Sequence, residues 1–428
     1  MNILLSILIN ILSYGAVAGD TTVNNAAAID RAISDCYAKG GGTVEVPEGT
    51  FTTGTIHLRS HVTLRLDRGA VLRGISDINA YEPLRTDLDL SKYESGQGTV
   101  NYNSATDPEW SRAMLMAVGC TDAGIEGEGC IDGANVRNPR GEEHMRGPHT
   151  ILMAGCKKIK MSGFAVRHSA NYAFLAYKIE KARFDGLTVE GGWDGIHIRG
   201  SRDTRIDNCR LHTGDDAIAG GYWERMRITR STLNSSCNGI RMIMPSTDVL
   251  ISHCDIYGPG AYEHITSHRT NSEAAVNLEP GGWGKAPGRM DRIRLSHITT
   301  DRVLTPLCVT LGDDNTCGTI TVDHLTARRT TRMALSVKNW GSAPTDRVVM
   351  RHCRLEFDGI DDPTLPATIA GLPTNQWPVF PSWGMFFRNV GEVSTKDVVL
   401  SLRGNDYRLP FITQNVGCEN LAEGTRVK

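Results

Sequence analysis

Much that would mark a common function class is missing from this chain of 428 residues. It has no basic run, and its 46 Lys and Arg stand against 48 Asp and Glu, so nothing attracts a phosphate backbone irrespective of sequence. No nucleic-acid partner is expected. The apolar start, MNILLSILINIL, is too short to cross a membrane as a helix, which takes about 20 residues. That same run is followed by AVA, which would pass as a cleavage site, yet it lacks the basic head of a signal peptide, and Ile9 to Tyr14 read as structure. The eleven cysteines contain no CxxC spacing, which argues against a zinc centre or a redox dithiol; no metal and no cofactor are expected.

An odd cysteine count forbids complete internal pairing. Cys209, Cys254 and Cys353 enter the same kind of segment (NCRL, HCDI, HCRL), so they read as small buried residues, with a disulfide framework as the alternative.

What is present is a repeat. Segments of alternating apolar residues restart at Ile151, Ala173, Ile196, Ala217 and Ile240, at intervals of 22, 23, 21 and 23. Each is followed by a second short run (KIKM, EKARF, DTRI, RMRI, DVLI) and a third (GFAV, GLTV, NCRL, STLN, HCDI). Three short strands per repeat and no helix exclude the helical repeats and leave a parallel β-solenoid, with a leucine-rich repeat as the rival. The Leu-x-x-Leu-x-Leu signature of that rival is absent. Coils of a solenoid stack at roughly 4.8 Å, so residues one period apart become neighbours.

The stretch Gly192 to Gly220 then matters most. It carries Asp194 and, 21 positions on, Asp215 with Asp216. The spacing predicts three carboxylates on adjacent coils, where like charges cannot all ionise freely and at least one should hold its proton near neutral pH. One acid beside two bases is glycosidase chemistry.

These residues resemble those of the polygalacturonase-type glycoside hydrolases, family 28, whose signature runs NTDGI and, about one coil later, GDDCIAI. The counterparts are GWDGI at Gly192 to Ile196 and GDDAIAG at Gly214 to Gly220. The likeness extends to SYGAVAGDTT, GGGTVEVPEGTF, GIEGEGCIDG and the late WGMFFRNVGEV. It implies an all-β, single-domain right-handed parallel β-helix with an N-terminal capping helix, secreted or periplasmic, acting on a pectic or related poly- or oligosaccharide. It also implies that Asp215 is the general acid and that Asp194 and Asp216 position and deprotonate the attacking water. Inversion follows, with carboxyls separated by roughly 6.5 to 9.5 Å.

The chain departs from that pattern twice. Where the family has GHG one coil after GDD, this sequence has CNG, which puts Asn238 in the place of the histidine. The family's RIK triplet has no counterpart in ITSHRTNSEAAVNLEPGGWGKAPGRM, a long insertion; a second alignment pairs NGIRMI with NGIRIK and makes Arg241 the arginine. Fixed positive charge for a galacturonate carboxylate is reduced in both cases.

One domain is expected over 1–428, with an N-terminal strand and cap helix to about residue 45, catalytic coils at about 150–260 and final coils at about 380–428. The cap helix is AAAIDRAISDCYAKGGG, with Ile29, Ile33, Cys36 and Tyr37 on one face, Asn24 and Asn25 before it and glycines after. A polar stretch from Tyr81 to Ser111 interrupts the period and should wall the cleft, offering Tyr93, Tyr102 and Trp110 to sugar faces or to packing. His168 and Tyr172, on coils before Asp194, are candidates for sugar contact, as are Trp283 and Lys285 in the insertion from His264 to Arg289. A second GDD at Gly312 to Asp314 reads as a turn, or as a subsite contact.

The function expected is an inverting, exo-acting glycoside hydrolase. Two alternatives come from other classes: a carbohydrate-binding solenoid that has lost catalysis, and a polysaccharide lyase, which needs a basic residue poised as base and finds only Arg241.

Overall fold

The computed structural model describes residues 7–97 and 102–428; the first six residues of the apolar start and residues 98–101 of the Tyr81 to Ser111 stretch lie outside the described residues. The chain divides into two compact units, Met1–Thr213 and Gly214–Lys428.

In the first unit the alternating apolar positions become stacked columns. Each turn of chain lays down three short strands, and strands one turn apart pair in parallel. Ile151, Phe174 and Ile196 align on one face, Met161, Phe184 and Ile206 on a second, and Val166, Val189 and Leu211 on the third. All nine side chains are buried. Each contributes on the order of 1.5 to 3 kcal/mol by leaving water, and a one-residue slip would turn a whole column outward.

The start of this unit is closed off. Leu8–Asn10 pairs in parallel with Thr43, Val44 and Glu45, and the helix Ala26–Ala38 buries Ala28, Ile29, Ala32, Ile33 and Cys36. Tyr37, expected on that face, is exposed instead. The Asn pair divides its work: the Asn24 side chain accepts from the Ala26 N–H at 3.0 Å, whereas Asn25 turns inward to Val17 and Thr52. Solenoids need such a cap because a bare first coil would expose its core.

The second unit keeps the columns, with Ile218, Ile240, Val276 and Leu307 on one face and Ile228, Ile251, Leu295 and Val322 on another. Its strands are longer than three short runs per turn: Thr247–Tyr257, Gly288–Asp301 and Asn315–Thr330 each bend through a corner without a break. Each carries two left-handed residues other than glycine, Asp248 and His253, Arg292 and His297, or His324 and Arg329, and the histidine takes one such corner. Pairing resumes on both sides of it, Ser252 with Ser296 and Cys254 with Ile298.

The region from His264 to Arg289 is not one irregular loop. It contains the strand Ser272–Leu278, paired on one side with Ile240, Arg241 and Met242 and on the other with residues between Val303 and Val309. Ala274, Val276 and Leu278 face the core, an alternation obscured in sequence by the polar and Gly-Pro stretches around it. Two shorter loops remain, one carrying His264 and the other Trp283 and Lys285.

The eleven cysteines are free thiols and nine of them are buried, among them Cys209, Cys254 and Cys353. Among the described residues no helix is long and apolar enough to cross a membrane.

Candidate active site

Asp194 lies in the turn that leads into the strand Ile196–Arg202. That turn is pinned by its own backbone, since the Asp194 carbonyl accepts from the Ala173 N–H at 2.9 Å. Its carboxylate sits 2.6 Å from Nδ1 of His197, and both side chains are buried. Arg199 Nε lies 2.9 Å from the other ring nitrogen, Nε2. A guanidinium only donates, so Nε2 accepts, the ring proton is on Nδ1, and the imidazole donates to Asp194.

Around this pair the packing is aromatic and cationic. The Tyr172 ring stacks on His197, 4.7 Å away and nearly parallel, and Trp110 meets Tyr172 edge-on at 5.3 Å. Burial, and then the charge of Asp194, push the Tyr172 phenol well above its ordinary value, so it stays neutral. His149, fully buried beside Trp110, is pushed well below the ordinary imidazole value, first by burial and then by Arg199 and Arg146. Arg146 itself covers the Trp193 ring at 3.5 Å.

Arg199 also ties down the Tyr81 to Ser111 stretch. It donates to the Tyr93 carbonyl at 3.1 Å and to Asn103 Oδ1 at 3.0 Å. The three aromatics offered there to sugar faces or to packing have different fates. Trp110 is buried and donates to the Tyr177 hydroxyl at 3.2 Å, Tyr93 lies against Gly200, and Tyr102 is exposed and bonded to Glu94.

Asp215 and Asp216 immediately precede the strand Ile218–Glu224 in the second unit. Asp216 is buried. Its Oδ1 accepts from both the backbone N–H of Asn238, at 3.0 Å, and its side-chain amide, at 2.8 Å, while Arg241 stands 3.6 Å from Oδ2. Burial raises the Asp216 carboxyl to about 6; the Asp215 charge adds to this, and Arg241 and Asn238 oppose it. Carboxylate oxygens of Asp215 and Asp216 and the Cys237 sulfur come within 4.8 Å of one another. Carboxyls that close titrate as a pair, so a proton resident on Asp216 is shared chemistry with the more open Asp215.

His264 faces Asp215. Its Nε2 lies 3.6 Å from Asp215 Oδ2, and its Nδ1 accepts from the Ser267 N–H at 3.2 Å. A backbone N–H cannot accept, so Nδ1 is the lone-pair nitrogen and the ring proton points from Nε2 toward the carboxylate.

Asn238 therefore bonds the pair itself, and Arg241 joins Asp216 to Glu279, 2.6 Å from its Nε. Both lie on the coil that follows GDD. Trp283 packs against Ile243, Met244 and Ala286 with the Arg241 guanidinium 5.6 Å above its ring. Lys285 is largely exposed, 4.0 Å from Asp314. His168 stands on an exposed turn and pairs with Asp132 at 3.0 Å, and His253 stacks on His297, 4.8 Å away.

Sequence reading missed His197, Arg199 and His264. The first two had a signal: in GIHIRG they occupy alternate positions of the strand that follows Asp194, the spacing that puts side chains on one face. His264 had none, since it comes from a loop of no fixed length.

A family model described as right handed beta helix region matches residues 149–276. Among curated proteins, a probable polygalacturonase of Vitis vinifera is 26% identical over 289 residues, covering 64% of this chain and 55% of that protein. An exo-poly-alpha-D-galacturonosidase of Dickeya chrysanthemi is 36% identical over 254 residues, covering 49% of this chain and 41% of that protein. The chain thus spans about half the length of the curated relatives it matches. In fold it is similar to the crystal structure of a hyperthermoactive exopolygalacturonase from Thermotoga maritima, with a TM-score of 0.61, 16% identity, and coverage of 91% of this chain and 92% of that one. The chain therefore has the right-handed parallel β-helix fold, and over part of its length it is similar to polygalacturonases.

Proposed function

We propose that the protein is an inverting glycoside hydrolase that removes terminal units from a pectic or related plant glycan outside the cell. The observation that carries this reading is the Asp215–Asp216 pair: two carboxyls within 4.8 Å, one of them buried and raised to about 6. Such a pair supplies an acid and a base at the same pH.

Asp215, the more open of the two, gives its proton to the glycosidic oxygen as the bond to the anomeric carbon breaks. A water attacks that carbon from the opposite face and loses its proton to Asp194 and Asp216. One water is consumed, and its two hydrogens end on the new sugar hydroxyl and, through the carboxyls, on the proton donor restored for the next cycle. Joint work by Asp194 and the pair is supported by their 21-position spacing, which is close to the coil length inside each unit, such as 22 from Ile218 to its partner Ile240. The His197 imidazole, donating to Asp194, orients its carboxylate.

The rival reading, a binding solenoid without catalysis, leans on the missing GHG histidine. His264 beside Asp215 and Asn238 on Asp216 weigh against it, because both aspartates keep dedicated partners. The test is proton NMR of the first product formed from pectic oligosaccharides: a product of inverted anomeric configuration is expected, and a retained configuration overturns the mechanism.

A further inference from the structure

One cleft in the second unit is not used by this chemistry. It has a volume of about 320 Å³ and is lined by Glu279, Lys285, Thr310, Asp313, Asp314 and Trp340. That is at the lower end of small-molecule sites, roughly 300 to 1,000 Å³. It is joined to the acid pair by one residue. Arg241 is bonded to Glu279 at 2.6 Å and stands 3.6 Å from Asp216, and Glu279 is also a wall of the cleft.

Its charge is the wrong sign for a uronate. Three carboxylates line it against a single ammonium. Arg241 offsets Glu279, and Lys285 is 4.0 Å from Asp314, which leaves Asp313 with a serine N–H, that of Ser342 at 2.9 Å, but no cation among the described residues. Carboxylates accept only, so they suit a ligand rich in hydroxyl donors. Trp340 adds an apolar wall, as aromatic rings do where one side of a ligand is apolar and its rim polar. Arg388 lies over the Trp340 ring at 4.3 Å and is also bonded to Gln414, and it does not line the cleft.

We propose that this cleft is a subsite for an uncharged hexose unit of the substrate and that it discriminates against a uronate there. The second GDD motif, Gly312 to Asp314, is then its acceptor rim rather than a bare turn. The inference rests on the glycoside hydrolase reading for its place in function, but its binding chemistry is testable without turnover.

The probes are methyl galactoside and methyl galacturonoside, which differ only in carrying CH₂OH or carboxylate at C6. Titrations of the full chain are followed by NMR, and the binding removed by Trp340→Ala is the cleft's own. The galactoside is expected to bind this component about three- to tenfold more tightly, a modest factor because Asp313 and Asp314 are exposed and screened. In the double variant Asp313→Asn/Asp314→Asn, on an exposed turn where folding is not at stake, the preference should shrink to within twofold. Equal or tighter galacturonoside binding by the wild type, or a preference unchanged in the double variant, overturns the proposal. Absence of hydrolysis on every glycan, with this preference intact, would instead sink the hydrolase reading alone.

Discussion

Asn238 donates twice to one oxygen of Asp216, through its backbone N–H at 3.0 Å and its side-chain amide at 2.8 Å. The residue that replaces the histidine of the resembling family is thus built into the acid pair. It is buried, with Cys237 Sγ 3.3 Å from its amide nitrogen. An imidazole is bulkier than the amide it would replace in this buried position, and overpacking costs about 1 to 3 kcal/mol. Asn238→His is expected to lower kcat at least about tenfold, and Asn238→Ala to move the Asp216 titration upward by removing a hydrogen bond to the charged form. A histidine variant as active as wild type would show that the amide is incidental.

Asp216 ties function to stability. Its folded value of about 6 lies above the ordinary carboxyl value of 3.8, so between these pH values the folded chain binds the extra proton. Stability from this group is therefore full below about pH 4 and is lost as pH rises through about 6, by up to about 3 kcal/mol. Asp216→Asn keeps an acceptor for Asn238 and removes the titration. Chemical denaturation should find the variant gaining on wild type between pH 4 and 7, while its turnover is abolished; parallel pH profiles for the two proteins would rule the assignment out.

Asp215→Asn should leave folding intact and reduce kcat by about 10² to 10⁴, the range for a lost proton donor. Unfolding midpoints and initial rates decide this together. Activity within tenfold of wild type at an unchanged midpoint removes Asp215 from the acid role.

His264 is the partner the sequence did not disclose. Its Nε2 proton is directed at Asp215 from 3.6 Å, a distance that a bound substrate can tighten, since catalytic hydrogen bonds are often long without one. His264→Gln is expected to lower kcat about tenfold or more with KM nearly unchanged. A KM effect alone would make His264 a sugar contact and not a support for the acid.

The contrast between His264 and Asp194 shows what a sequence discloses. Columns such as Ile151, Phe174 and Ile196 are legible because stacking repeats the same physical demand every 22 or 23 residues. The aspartates are legible because they sit in turns tied to that period. Arg199 is harder to read, since its reason for being buried is a loop about a hundred positions earlier, at Tyr93 and Asn103. The strand Ser272–Leu278 was hidden for the opposite cause: its period is normal, but flanking loops of uneven length displaced it. Lone aromatics such as Trp110 carry no periodicity, and only packing decides that it supports Tyr172.

The proposed exo mode can be tested on the polymer. Arg199 fixes the Tyr81 to Ser111 stretch through Tyr93 and Asn103. Beside Asp215, the loop bearing His264 is held by Arg269, which donates to the Ser236 carbonyl at 3.0 Å, and by the Gly260 N–H to the Thr270 carbonyl at 2.6 Å. Cation supply favours the proposed mode, because Arg241 is already committed to Asp216 and Glu279 and Lys285 stands beside Asp314. A long polyanion needs a fixed cation for each carboxylate it buries, and Arg forks serve that role best. On polygalacturonic acid, reducing sugar should therefore rise slowly and in proportion to any fall in viscosity, with single units as the first products. A rapid viscosity drop at low reducing-sugar release would establish internal cleavage of a galacturonan and overturn the proposed exo mode.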